Sequence, residues 1–580
     1  MIKHLFLFTI TPVQSFVAEA RKAQDFFEGS HLLSYLTDCA VKEAGETSVS
    51  CDIIFPKEKI ESKPNRFMAV VEISDIKKFG DDLKASVKQK FCDWVDRSWN
   101  FIEKKPENYE FQKKNYLSIT WVAVEYDKEK DDYITKYKEI ESLLGGAKNI
   151  RDFKQLPDTE KGRKCSVCGA RNALIFADQK PYDAQKDALL FERKDLNYLM
   201  NSKEGLCAVC AAKRFDKDAK AQKYPSTSDV ALLYTLEKFK EKGGPITNYD
   251  PQYLVMLKDD SNAGNFKDID ENLKGSTEKL SKDIDKKDVP RTAYYALVAF
   301  DGDSMGKTLG GGKCKKGINL QEFQEKLTQA LGTFAEKVNK EGIADNEGRV
   351  VYAGGEDFFG FINLHSLFPV MTRLRQMFDS EVHEKLEDYL AEGEKLSFSA
   401  GITIAHVKTP LSVIIGKTRE MEKKAKNRSS EKDAFAIAVM KHSGEINCIE
   451  MPWRNRDGRF YMDDMQDLID SMTKGELSNT FYQVLQKEFM PIVGEKESII
   501  ERDNKMFREM LLCELTRTLP RALSKEGKSK TDEFCAKIED LINACTTVDD
   551  AGNRLNIINF FHIFHVIDFI ARETGGVNED

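Results

Sequence analysis

The sequence contains no hydrophobic run long enough to cross a membrane. Its most apolar late segment, residues 557–571, is interrupted by Asn559, His562, His565 and Asp568 and is shorter than the ~20 residues that a transmembrane helix needs. We therefore expect a buried or partner-facing helix there, and no membrane. The N-terminal apolar run is also short and precedes no small-residue cleavage site, so it predicts a first β-strand and not a signal peptide.

The sequence also lacks an excess of positive charge. Its 88 lysines and arginines stand against 96 aspartates and glutamates, for a formal net charge of −8. This balance argues against coating of nucleic acid by charge alone, but not against a local basic groove. No low-complexity tract is present, and 41% hydrophobic and 32% charged residues are typical of a folded soluble protein. At 580 residues the chain is too long for one hydrophobic core, and roughly three to five domains are expected.

Because signals for secretion are absent as well, the twelve cysteines are expected to be reduced in the cytoplasm. Four of them form two CxxC pairs separated by 38 residues: Cys165, Cys168, Cys207 and Cys210. This spacing predicts a tetrahedral zinc site, although the insert is longer than in the usual zinc ribbon. A redox pair and four unrelated buried cysteines are the alternatives. Four sulfur ligands leave no open coordination position, so the predicted role of the zinc is structural.

The hydrophobic patterns predict an α/β (α+β) protein of four parts. In residues 1–150, three strands with β-branched or aromatic enrichment follow the first strand, and a helix is expected from Pro12 to about Glu28 with Gly29 as its stop. Residues 151–290 are charged, look helical and carry the two CxxC pairs.

A second α/β unit is predicted over residues 291–448. Its elements follow the order β-α-β-β-α-β with a tight hairpin in the middle, which is the ferredoxin-like plan. From 449 to 580 the pattern is almost entirely of helical period, which predicts an all-helical C-terminal domain.

The stretch VYAGGEDFF at 351–359 forms the predicted hairpin turn. In the ferredoxin-like plan this turn lies beside the end of the first strand, so Glu356 and Asp357 would meet Asp301. Unpaired carboxylates at such short distances raise each other's pKa unless a divalent cation lies among them. Mg²⁺ suits such a site. Gly354 and Gly355 leave no side chain to block a triphosphate. The chemistry predicted is nucleotidyl transfer.

Each part of this pattern also has an ordinary explanation. Two glycines followed by two acids form a common hairpin turn, and an aspartate after a strand commonly caps the next helix. Their joint placement in one predicted unit favours a site over both. The string DGDSMGKT is similar to a phosphate-binding P-loop, but Asp301 stands where that loop requires glycine. The glycine-rich stretch at 309–317 also lacks the spacing and is expected to be a loop.

The motifs coincide with one family. The resemblance rests on the two CxxC pairs and on PVQSFVAEARKAQDFFEGSHLLSYL, PNRFMAVV, DGDSMG, GGED, SAGITIAHVKTPL and DAFAIAVMKHSG. In this order they resemble the large polymerase/cyclase subunit of type III CRISPR interference complexes, in its Cmr (III-B) branch. The resemblance implies two Palm domains with a zinc-bearing segment between them and a helical C-terminal domain. It also implies guide RNA, target RNA and other Cmr subunits as partners in a ribonucleoprotein.

The resemblance also implies roles for individual residues. Asp301, Glu356 and Asp357 would hold Mg²⁺ or Mn²⁺. Lys426 would reach a phosphate, although it could instead be one of several solvated lysines. The triphosphate would be lined by Gly302, Asp303, Ser304, Met305 and Gly306. A second nucleotide would face Gln14, Phe16, Ser30 and Leu33 of the first Palm.

Active members of this family join ATP molecules into cyclic oligoadenylate when a target RNA pairs with the guide. Some members of the Cmr branch are thought to attach AMP to S-adenosylmethionine instead. The turn reads Gly-Gly-Glu-Asp where the family usually has Gly-Gly-Asp-Asp, which puts the product in question because the longer Glu356 can shift the metal or the acceptor. The chain starts at the Palm strand and has no His-Asp dipeptide, so DNA cleavage by an HD nuclease domain is not expected. A catalytically inactive scaffold that binds guide RNA and other subunits is the alternative function.

Overall fold

Two β-sheets that share one arrangement of four strands form the framework of the chain. The computed structural model describes residues 2–48, 50–56, 63–150, 162–177, 188–190, 200, 203–216, 224–257, 269–493, 499–500, 504–549 and 552–575.

The first sheet has four antiparallel strands in the order β2-β3-β1-β4. The strands are β1 (Ile2–Thr11), β2 (Ser50–Phe55), β3 (Arg66–Ile73) and β4 (Ser118–Glu125). The central strand β1 is buried from His4 to Ile10, as a strand covered on both faces should be. The helices of this unit are α1 (Gln14–Ala18), α2 (Ala23–Thr47), α3 (Ile76–Ser98), α4 (Tyr109–Lys114) and α5 (Tyr133–Asn149).

The single helix expected from Pro12 to about Glu28 is wrong. The chain instead breaks between Ala18 and Ala23, and α2 then continues through Gly29 to Thr47. Gly29 therefore does not stop a helix.

The middle of the chain contains the cysteine pairs, a small sheet and several helices. A small sheet of order β6-β5-β7 is formed by β5 (Ile175–Phe176), β6 (Leu189–Leu190) and β7 (Gly205–Leu206). The helices are α6 (Ala208–Phe215), α7 (Thr227–Glu241), α8 (Pro251–Met256) and α9 (Glu271–Lys286). The predicted domain start at 151 lies outside the described residues.

The second sheet has the order β13-β12-β11-β8-β10-β9. Its strands are β8 (Tyr294–Gly302), β9 (Gly348–Gly354), β10 (Asp357–Asn363), β11 (Phe398–His406), β12 (Ala434–Met440) and β13 (Ile446–Pro452). The helices are α10 (Met305–Leu309), α11 (Leu320–Lys337), α12 (Leu367–Phe378), α13 (Glu384–Leu386) and α14 (Leu411–Lys426). The order β9-β10-β8-β11 repeats that of the first sheet, so the ferredoxin-like plan is confirmed for both units. The predicted boundary at 448 would divide β13, which pairs with β12; the sheet ends at Pro452.

The C-terminal region is mainly helical, but the prediction of an all-helical domain is wrong. Its helices are α15 (Tyr461–Thr473), α16 (Thr480–Val493), α17 (Asn504–Ala522), α18 (Thr531–Ala544) and α19 (Ile557–Thr574). A small antiparallel sheet of order β14-β16-β15 joins them, with β14 (Ile499–Ile500), β15 (Thr546–Asp549) and β16 (Gly552–Asn556).

Helix α19 corresponds to the apolar segment at 557–571 and is buried over most of that length, as expected. Its apolar side chains belong to the same hydrophobic core as one face of the second sheet, for example Phe300 and Phe398. Asn559 also joins the helix to β13, since its side chain exchanges hydrogen bonds with the backbone of Glu450. Within the described part of the chain, no helix combines the length and apolar character that membrane crossing requires.

Candidate functional site

Strand pairing brings the three predicted acids together at one edge of the second sheet. Phe358 pairs with Phe300 across β10 and β8, so the next residue on each strand places Asp357 beside Asp301. The two carboxyl groups lie within hydrogen-bonding contact, and Glu356 lies close enough to interact electrostatically with Asp301. The arrangement predicted from the hairpin is therefore present in the structure.

Glycines allow this close approach. Gly355 adopts φ +76° in the turn, a conformation that favours glycine. At the end of β8, a Cβ on Gly302 would lie 2.8 Å from the Cβ of Glu356 and 2.7 Å from the Cε of Met305. Any larger residue at 302 would push the hairpin away from the strand end.

The charges of the acids are poorly compensated by the protein. Burial, together with the neighbouring Asp301 and Glu356, raises the pKa of Asp357 well above its usual range, and Arg419 opposes this only in part. Burial and Asp301 likewise raise the pKa of Glu356, although Arg66 and Lys426 act in the other direction. A divalent cation would stabilise the ionised forms of these buried carboxyl groups.

The acids do not form a closed cage. In the described part of the chain, the only group of three or more possible ligands whose atoms all lie within 4.8 Å of one another is made of cysteines. An open set of carboxylates fits Mg²⁺ or Mn²⁺, because Mg²⁺ is usually held by one or two carboxylates together with substrate phosphates.

Lys426 is part of this cluster and is not a solvated lysine. Its Nζ donates to the carboxylate of Asp301 and, at 3.3 Å, to Glu422 Oε1. Burial lowers the pKa of Lys426, but the two carboxylates outweigh it, so the pKa is raised. The charge of Lys426 neutralises part of the acid cluster in this state.

Asp303 does not face this cluster, contrary to the prediction that it lines a triphosphate. Its side chain is 1% exposed and accepts hydrogen bonds from Ser397 Oγ and Ser399 Oγ, both at 2.8 Å, and from the backbone amide of Asp433 at 3.1 Å. Burial raises the pKa of Asp303 although these bonds oppose the shift. Its carboxylate is used to join strand ends inside the protein.

A cavity between the two α/β units is lined by six of the predicted site residues. This first cavity encloses about 760 Å³ of empty space, part of which is open to solvent. The predicted residues that line it are Gln14, Ser30, Leu33, Gly354, Glu356 and Asp357.

A second cavity, of about 550 Å³ including space open to solvent, also has Glu356 in its lining. Met305 and Gly355 line it together with apolar side chains such as Leu309 and Leu331. Gly354 and Glu356 line both cavities, so the acid turn borders both spaces.

Besides Gly302, Asp303 and Lys426, three more predicted nucleotide-binding residues line neither cavity. Phe16 is fully buried and its ring lies 4.2 Å from the Nζ of Lys213, so it does not face the first cavity. Ser304 and Gly306 are outside the residues that line either cavity. Ser304 has φ +56°, which is uncommon for a residue with a side chain.

Sequence reasoning missed two arginines and a tyrosine at this site. Arg66 lines both cavities, and Arg419 and Tyr352 line the first. Arg66 also forms an ion pair with Glu141 at 3.2 Å. The signals were present: Arg66 belongs to the PNRF motif, and Arg419 lies seven residues before Lys426 on α14, which puts both on one helix face.

The four cysteines gather at one point, as the CxxC spacing predicts. Their Sγ atoms all lie within 4.8 Å of one another, and those of Cys168 and Cys207 are 3.9 Å apart. Zinc–sulfur bonds of 2.3 Å in a tetrahedron place sulfurs about 3.8 Å apart, so this set fits a structural zinc. The second CxxC pair also begins α6, whose N-cap is Cys207.

Family comparisons agree with this architecture. Residues 294–436 match the model of the second palm domain of Cas10/Cmr2, and residues 5–63 match that of the N-terminal part of the CRISPR-associated protein Cmr2. Over these two ranges the chain is similar to the Cas10/Cmr2 family. The two α/β units are called the first and second Palm below.

Two curated relatives are similar in sequence. The CRISPR system Cmr subunit Cmr2 of Pyrococcus furiosus is 25% identical, in an alignment that covers 92% of this chain and 71% of that protein. The single-strand-specific deoxyribonuclease Cas10/Csm1 of subtype III-A from Streptococcus thermophilus is 23% identical, over 56% of this chain and 41% of that protein.

Two solved structures share the fold. They are chains of the type III-B Cmr-beta complex in its apo state and bound to cognate target RNA, with TM-scores of 0.64 and 0.66 and identities of 15% and 14%. Both similarities cover 98% of this chain, and 82% and 83% of the matched chains.

Proposed function

We propose that this protein is a metal-dependent nucleotidyltransferase that makes a nucleotide second messenger from ATP. The observation that carries the proposal is the cluster of Asp301, Glu356 and Asp357, of which Glu356 and Asp357 line the first cavity between the two Palms. The pKa values of these two acids are raised, which indicates too little positive charge from the protein. A scaffold has no reason to collect acids whose ionised forms are unfavourable.

Bound Mg²⁺ or Mn²⁺ would activate a ribose hydroxyl and stabilise the charge on the reacting phosphate and the leaving pyrophosphate. Asp301, Glu356 and Asp357 would hold it. Gly354 and Gly355 give the phosphates access to the turn, because neither carries a side chain. Lys426 neutralises Asp301 before substrate binds, and it lies close enough to the cluster to contact a phosphate instead.

The two cavities provide places for a donor and an acceptor. With ATP as donor, the acceptor is either a second ATP, which leads to cyclic oligoadenylate, or S-adenosylmethionine, which gives its conjugate with AMP. Glu356 lines both cavities, so the additional methylene of glutamate at this position would affect both the donor and the acceptor.

The family relationship supports assembly into a type III-B CRISPR effector complex in the cytoplasm. One matched structure is bound to cognate target RNA, and the Pyrococcus furiosus relative is a Cmr subunit. We infer that this chain works with guide RNA, target RNA and other Cmr subunits, and that target pairing activates it in antiviral defence.

The activity is tested with the assembled complex, target RNA, Mn²⁺ or Mg²⁺ and labelled ATP. We expect pyrophosphate release that depends on target RNA and is lost in Asp357→Asn. Release that persists unchanged in this variant would discredit the acid site. No release under any metal or RNA condition would favour the inactive scaffold.

Mass spectrometry of the product, with and without S-adenosylmethionine, separates the two acceptors. A product that requires S-adenosylmethionine identifies the conjugate. A product that forms equally well from ATP alone identifies an oligoadenylate.

A further inference from the structure

Helix α6 links the cysteine cluster to the wall of the first cavity. Its last turn carries two buried cations, Lys213 and Arg214, which are 0% and 2% exposed. Both contact the α1–α2 junction, the segment from Phe16 to Asp25 where the expected single helix is broken. Buried charges of this kind require specific partners.

Lys213 binds the end of α1. Its Nζ donates to the backbone carbonyl of Phe16 and, at 3.0 Å, to that of Glu19. The last carbonyls of a helix have no partner within the helix, so Lys213 replaces the missing donors. Gly29 on α2 leaves room for this side chain, since a Cβ there would lie 3.0 Å from both Cε and Nζ of Lys213.

Arg214 holds the start of α2 through Asp25. Its Nε and Nη2 donate to the two carboxylate oxygens of Asp25 at 2.5 and 2.7 Å. Asp25 Oδ2 in turn accepts the backbone amides of Arg21 and Lys22 at 3.0 and 3.1 Å. Arg214 also contacts Glu204 at 3.1 Å, which keeps the arginine fixed from its other side.

We propose that Lys213 and Arg214 are positioning residues that set the first-Palm wall of the first cavity. Gln14 precedes Phe16 on α1 by two residues and lines the cavity while Phe16 faces Lys213. On α2, Ser30 lines the cavity directly after Gly29. Moving the junction would therefore move side chains that face the nucleotide. The inference rests on the proposed function, because a nucleotide is the ligand whose binding the wall affects.

The test compares Lys213→Met with Lys113→Met in the full chain. Lys113 is a matched control, since it is 5% exposed, donates to Asp96 and Glu110, and lies 5.1 Å from the ring of Tyr109 on α4. Calorimetry measures the affinity for a non-hydrolysable ATP analogue with Mn²⁺, and hydrogen exchange measures amide protection over residues 14–34.

For Lys213→Met we expect about tenfold weaker nucleotide binding, the change produced by 1.4 kcal/mol, and faster exchange concentrated in residues 14–34. Lys113→Met should change neither. Arg214→Lys keeps the charge but loses the two-point contact with Asp25, so it should show a smaller change in the same segment. If Lys213→Met fails to fold, the result for Arg214→Lys tests the inference instead.

Unchanged affinity and unchanged exchange over 14–34 in the folded variants would overturn the inference. Equal changes in the Lys113→Met control would overturn it too, since they would indicate general destabilisation. If the unaltered chain bound no nucleotide, the proposed function would fail, and the exchange of residues 14–34 would then decide the positioning role by itself.

Discussion

The two Palm sheets share one strand order but differ in charge where they face each other. In the second Palm, the central strand β8 reaches Asp301, and the hairpin between β9 and β10 adds Glu356 and Asp357. In the first Palm, the equivalent central strand ends at Thr11, and the strand equivalent to β10 begins with Arg66. Topology decides which side chains meet, whereas residue type decides whether the edge holds a cation or repels one.

Removing one acid from the second Palm should reduce the difference in charge between the two Palms and have the largest effect on activity. Asp301→Asn keeps the size of the side chain but removes the charge that strand pairing brings to Asp357. We expect a fall of about 10²–10³-fold in pyrophosphate release, as for loss of one transition-state contact. Steady-state assays of the assembled complex measure it, and activity within a fewfold of the unaltered complex would contradict the assignment.

Making the first-Palm edge acidic should have the next largest effect. Arg66→Glu would place a negative charge beside both cavities, where phosphates would be repelled. We expect a rise in KM for ATP of about 10–100-fold, or roughly 1.4–2.7 kcal/mol, with a smaller change in kcat. Arg66→Lys is the matched variant that keeps the charge and should lie between. An unchanged KM in Arg66→Glu would show that this edge does not contact substrate.

Asp303→Asn should separate stability from chemistry. The amide cannot accept all the hydrogen bonds that Ser397, Ser399 and Asp433 donate, so we expect a loss of about 1–3 kcal/mol in the free energy of unfolding. Activity per folded molecule should stay close to normal. Denaturant titration and active-fraction assays measure the two quantities, and a catalytic loss without destabilisation would place Asp303 in the reaction instead.

The folding stability should depend on pH because of Glu356 and Asp357. The pKa values of Glu356 and Asp357 are raised above their ordinary 4.5 and 3.8, so the folded state binds protons that the unfolded state has lost. In metal-free buffer, stability should therefore fall as pH rises from about 4 through the raised values. Asp357→Asn should flatten this slope, and Mn²⁺ should reduce it in the unaltered chain. A thermal midpoint that is independent of pH in the unaltered chain would count against the raised pKa values.

The sequence was sufficient for features that depend on local pattern and topology. Strand composition and order predicted the ferredoxin-like plan of the second sheet, and that plan placed Asp301 beside Glu356 and Asp357. For the first sheet, the Palm fold was implied by the family resemblance. The CxxC spacing also predicted the cysteine cluster. These predictions succeed because strand pairing and ligand spacing leave few alternatives.

Features that depend on distant partners could not be predicted in this way. The break after Ala18 is stabilised by Lys213, almost 200 residues away, and the Nζ of Lys213 also lies over the ring of Phe16. Asp303 likewise lies one residue from Gly302 but is directed by serines on β11 and just before it. Strand β13 was missed because it pairs only at the edge of the second sheet.

The buried position of Asp303 bears on how sequences of this family should be compared across species. Although Asp301 and Asp303 occur in one short motif, they have different neighbours. Asp301 lies beside the acids of the hairpin, whereas Asp303 accepts hydrogen bonds from two serine hydroxyls. Evolutionary covariation should therefore tie position 303 to 397 and 399, and position 301 to 356 and 357. A homologue that keeps the second aspartate but loses the first would still fold, and its motif alone would give a false sign of enzymatic competence.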